Sequence, residues 1–118
     1  MTVYDEFVAR KCKPGVDIDM SDPGDKHVIH MLLGLTGEVG ELVDVLKKHL
    51  IYGQLLDVEH VEEEVGDIHF YLTGIHNWLL SRGGAFREHI LAQNMAKLSK
   101  RYPDGYTDED AKVRADKT

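Results

Sequence analysis

The stretch GLTGEVGEL, residues 34–42, decides how the chain is read. Gly34, Gly37 and Gly40 recur every three residues, and Glu38 and Glu41 keep the same interval. A glycine inside a helix costs roughly 0.5–1 kcal/mol relative to alanine. Yet the apolar residues around it, Val28, Met31, Leu32, Leu35, Val39, Leu42, Val43, Leu46 and Leu50, fall three and four apart, the period of one helix face. The spacing predicts a helix from about Lys26 to Tyr52, stopped by Gly53. Lys47, Lys48 and His49 sit in its last turns, where cations suit the helix dipole. The glycines, with Gly66 further on, are then expected where another backbone comes close.

Working outward, residues 3–12 suit a short first helix, and residues 13–25 hold Pro14, Gly15, Pro23 and Gly24 and read as a loop. Asp22 or Asp25 would cap the long helix. Asp57 caps a second long helix, Val58 to about Ser81. Its stripe is Val61, Val65, Ile68, Leu72, Ile75 and Leu79, and Gly83 and Gly84 break it. A further helix covers Phe86 to about Arg101, YPDGY (102–106) is a turn, and Thr107 with Asp110 suggests a short last helix. Strand alternation is absent. The fold class is all-α: a helical bundle of four main helices with two long antiparallel ones at its centre. A single domain over 1–118 is expected, with a core of about 26–101 and a short C-terminal extension, 102–118.

The chain has 118 residues, 42% hydrophobic and 30% charged, which fits one globular domain. A net charge of −7 argues against a nucleic acid polymer as partner. Cys12 is the sole cysteine, so a reducing, cytoplasmic setting is expected. No apolar run approaches the roughly 18 residues of a membrane span, and the N-terminus does not read as a signal peptide.

The chemistry lies in the acids. Residues three apart on a helix are neighbours, so Glu38 and Glu41 point the same way, and Glu64 and Asp67 repeat the geometry on the next long helix. If the two apolar stripes pack together, four carboxylates converge at the edge of the interface. Such a group is unfavourable unless cations neutralise it. Oxygen ligands suit hard divalent ions, Mg²⁺ above all. Acidic pairs on helix surfaces are usually just solvated. Two of them, each bordering an apolar stripe on successive antiparallel helices, are harder to dismiss. Glu62 reads as a solvated acid of the first turns, whereas Glu63 lies one turn before Asp67 and would sit behind the ligands.

Glu38-Val-Gly-Glu41, followed after 22 residues by Glu64-Val-Gly-Asp67, resembles the ExxE…ExxD signature of the all-α nucleoside triphosphate pyrophosphohydrolases. HMLLGLTGEVGELVDVLKKHLIYG, EEVGDIHFYL and NMAKLSKRYPDGY resemble the single-domain MazG-like branch, including phage forms, over roughly residues 26–116. One departure is IHFYL (68–72), where many relatives carry a tryptophan near Phe70. The resemblance implies an enzyme that hydrolyses a nucleoside triphosphate to monophosphate and pyrophosphate. It implies Mg²⁺, with Mn²⁺ as substitute, held by Glu38, Glu41, Glu64 and Asp67. It also implies a homodimer or homotetramer, in a bacterial cytoplasm or, if phage-encoded, in that of the host. In-line attack by water on the shielded triphosphate is compatible with these parts.

Lys48 lies two turns after Glu41 on nearly the same face and would meet phosphate, or else simply serve the helix dipole. Tyr71, one turn after Asp67, would touch sugar or base, or else sit at the edge of the core. Asn94, Lys97 and Arg101 share a helix face, and the resemblance places Asn94 and Lys97 near nucleotide, Arg101 less firmly. His30 matches a histidine of relatives, whereas His69 and His76 read as packing groups and Trp78 as core or subunit contact. Two rival classes remain. A di-iron or di-manganese carboxylate bundle needs Glu-x-x-His on two helices, which this chain lacks. A non-catalytic helical dimerisation module would leave the placement of Glu38 and Asp67 without a reason.

Overall fold

A computed structural model describes residues 1–117. Among them the chain is all-α: helices α1 (Val3–Lys11), α2 (Pro23–Leu50), α3 (Val58–Ser81), α4 (Arg87–Arg101) and α5 (Asp108–Val113), with single 3-10 turns at Gly15–Asp17 and Ala115–Lys117. No described helix is long and apolar enough to cross a membrane. The chain forms two compact units, Met1–Ile75 and the part from His76 onward.

In the first unit, side-chain caps set the helix starts. Thr2 and Asp5 exchange hydrogen bonds in a capping box at α1. Asp22, rather than Asp25, caps α2, accepting from the Asp25 amide at 3.1 Å with Pro23 in the first turn. That cap starts α2 three residues before the predicted Lys26, and the helix ends at Leu50 rather than Tyr52. Gly53 adopts φ 70°, a left-handed turn beyond the helix end. Asp57 accepts from the His60 amide and opens α3 as expected.

The register of α2 against α3 is fixed by two notches. A Cβ on Gly34 would collide with the edge of the Tyr71 ring, and one on Gly74 would collide with Met31, whose Cγ lies 2.9 Å away. Glu38 in turn meets Glu64. Numbers rise along α2 as they fall along α3, so the pair is antiparallel. The buried residues among those described, Met31, Val45 and Glu64, all lie on these two helices.

Of the four glycines expected at a close backbone approach, Gly34 alone lies at the contact between the helices. A Cβ on Gly37, Gly40 or Gly66 would meet nothing within 4 Å. A row spaced by three lags behind the 3.6-residue turn, so it winds off the seam after Gly34. The other notch, Gly74, stood outside the quoted motif, and in both notches a side chain rather than backbone makes the approach.

In the second unit, Gly83 (φ 85°) turns the chain and the Gly84 amide returns to the Leu79 carbonyl. α4 begins at Arg87, with Phe86 as an N-cap that contributes no side-chain bond. Thr107 caps α5 through the Asp110 amide. Arg101 grips Asp116 with two donors, Nε to Oδ1 at 2.6 Å and Nη2 to Oδ2 at 2.9 Å, which ties the C-terminal turn to α4.

Candidate functional site

Facing helices bring Glu38 of α2 together with Glu64 and Asp67 of α3. One carboxylate oxygen from each lies within 4.8 Å of the other two. Glu64 is buried, Glu38 is half-buried and Asp67 is partly exposed, so the trio opens to solvent on one side. Glu64 Oε1 contacts His60 Nε2 at 3.1 Å, whereas its Oε2 is buried with no hydrogen-bond partner.

The electrostatics show the crowding. The Glu38 carboxyl is pushed up to about 7, first by the adjoining Glu64 carboxyl, then by burial, then by the negative charges of Glu64, Asp67 and Glu41. Glu41 therefore belongs to the same electrostatic neighbourhood, although it is exposed and lies outside the close trio. A half-buried carboxylate group with one orphaned oxygen has unmet demand for positive charge. Its donors are all hard oxygens, the set that suits Mg²⁺, Mn²⁺ or Ca²⁺ and not a thiophilic ion.

The remaining sequence candidates are more dispersed. Lys48 reaches Asp44 at 3.1 Å, an exposed i,i+4 pair on α2 that Lys47 joins at 3.8 Å. Tyr71 lies against Gly34 and meets Phe70 edge-on, with centroids 5.2 Å apart. Glu63 and His30 are exposed. Asn94 and Lys97 are exposed on α4 in the second unit, where Arg101 is taken up by Asp116. His76 is held through Nε2 by the Ala85 carbonyl at 3.3 Å, and the indole nitrogen of Trp78 is buried without a partner.

Three residues escaped the sequence reading. His60 precedes Glu64 by four, the spacing of neighbours on one helix face. Asp44 continues the row Glu38, Glu41 by three more residues. Asp116 gave no local signal, because its partner Arg101 lies fifteen residues away.

A family model described as the MazG nucleotide pyrophosphohydrolase domain matches residues 27–106. No curated protein and no solved structure matches the chain.

Proposed function

Because this chain belongs to the MazG nucleotide pyrophosphohydrolase domain family, we propose that it hydrolyses a nucleoside triphosphate to the monophosphate and pyrophosphate. Glu38, Glu41, Glu64 and Asp67 hold Mg²⁺, with Mn²⁺ as substitute. The observation that carries this reading is Glu64, a buried carboxylate with an undonated oxygen in a group of three. When bound, the ion shields triphosphate charge and makes water a better nucleophile.

The chain's own residues do the rest. Glu38, its carboxyl pushed up to about 7, must be free of its proton before it can serve as a ligand. Tyr71, anchored in the Gly34 notch, offers its ring to sugar or base. Asn94 and Lys97 contribute to nucleotide affinity by resemblance alone. Lys48 is close to phosphate in the same reading, at the expense of its exposed pair with Asp44.

Self-association is part of the proposal. Leu32, Val39, Val43 and Leu50 run along one side of α2 and are all exposed, as are Val58, Val65 and Leu72 on α3. A second copy, in a dimer or tetramer, would cover them. The decisive experiment is pyrophosphate release from a panel of NTPs and dNTPs, with Mg²⁺ and with chelator. Release that requires the ion is expected; release undiminished by excess EDTA would overturn the proposal.

A further inference from the structure

His60 stands one turn before Glu64 on α3, its Nε2 3.1 Å from Glu64 Oε1. Most histidine–glutamate pairs at this spacing are surface contacts of little consequence. This one differs at its acceptor end. The His60 side chain is 41% exposed but that of Glu64 is 8% exposed, and the second Glu64 oxygen has no partner. An ionised carboxylate only accepts, so Nε2 is the donor. A donor fixed on Oε1 stops the carboxylate from turning and leaves Oε2 as the oxygen free for another partner. Asp44, on the facing helix, is held below the usual carboxylate range first by Lys48, and His60 adds to this. The imidazole thus has Glu64 in contact and Asp44 within electrostatic reach.

We propose that His60 is a positioning residue of the cation site, holding Glu64 Oε1 so that Glu64 offers a single oxygen, Oε2, to the ion. The inference rests on the reading of the carboxylate trio as a cation site. It carries a selectivity. A small octahedral ion such as Mg²⁺ or Mn²⁺ accepts one oxygen per carboxylate, whereas Ca²⁺ favours more ligands and often takes both oxygens. His60 therefore biases the site against Ca²⁺.

The test is titration of the metal-free full chain with Mn²⁺, following the signal of the free ion by electron paramagnetic resonance, with Ca²⁺ as competitor. Supporting partners of ligands typically contribute about 10–100-fold in affinity, and that loss of Mn²⁺ binding is expected for His60→Leu. Ca²⁺ binding should fall less, so the preference for Mn²⁺ narrows. His60→Gln, whose amide can donate from the same position, should restore most of the Mn²⁺ affinity and the preference. A merely structural histidine would move neither the ion preference nor its rescue. If His60→Leu does not fold, His60→Ala serves in the same comparison. Parent-like affinity and preference in the apolar variant overturn the role of His60 while leaving the cation site standing. A parent chain that binds no Mn²⁺ overturns both.

Discussion

Glu38 shows what crowding does to a single side chain. Its carboxyl titrates at about 7 in the folded chain against 4.5 for a free one. The folded state therefore holds the proton more tightly than the unfolded state does. The stability this contributes is fully present below about pH 4.5 and is lost as pH rises through about 7. Metal-free protein should melt at lower temperature as pH is raised across that window, and Glu38→Gln should flatten the slope. Adding Mg²⁺ above the window should raise melting by ligand linkage. Glu64→Gln and Asp67→Asn keep shape while removing charge, so both should lose the Mg²⁺-dependent rise and cut turnover by orders of magnitude. Glu62→Gln, an exposed acid outside the cluster, is the control and should retain both. The acidic pairs were legible because a spacing of three on a helix is a local fact. Which acids meet was not, because that depends on how one helix is rotated and shifted against the other. The sequence suggested four equal carboxylates; the structure brings three close and leaves Glu41 exposed beside them.

At the scale of the element, the glycines separate into two kinds. Gly34 and Gly74 are notches, and Leu at either should lower stability by about 1–3 kcal/mol or more through overpacking. Gly37 and Gly40 face open space on a long helix, so Ala at either should stabilise by roughly 0.5–1 kcal/mol. Urea unfolding of the four variants, with the size of the assembly measured alongside, checks both statements. Helix identity was legible throughout, because the 3.6-residue period, the Asp57 and Thr107 caps and the glycine stops all agree. Boundaries were less so: Pro23 read as loop punctuation, although proline in the first turn of a helix removes no needed donor.

For the molecule as a whole, what is buried is as telling as what is not. Among the described residues the buried set is Met31, Val45 and Glu64, while Leu33 is 69% and Phe70 67% exposed. The apolar stripes legible in the sequence were expected to disappear against each other, but two helices in contact hide only a narrow seam. If the proposed self-association covers the remaining apolar surface, melting should shift upward with protein concentration. Light scattering should give a mass of at least two 13.4 kDa chains. A mass of one chain and a concentration-independent melt would remove self-association from the account.

The two notches also bear on how freely the hairpin can be rebuilt. Tyr71 in Gly34 and Met31 in Gly74 act as detents, so a slide of one helix turn would lift both side chains out of their notches. The alignment of Glu38 with Glu64 is therefore set by the shafts of the helices and not by the tether between them. Leu55, 96% exposed in residues 51–57, sits in that tether. Doubling a loop costs only about 0.6 kcal/mol in closure entropy. A glycine–serine insertion after Leu55 should thus leave the Mg²⁺ response of melting unchanged.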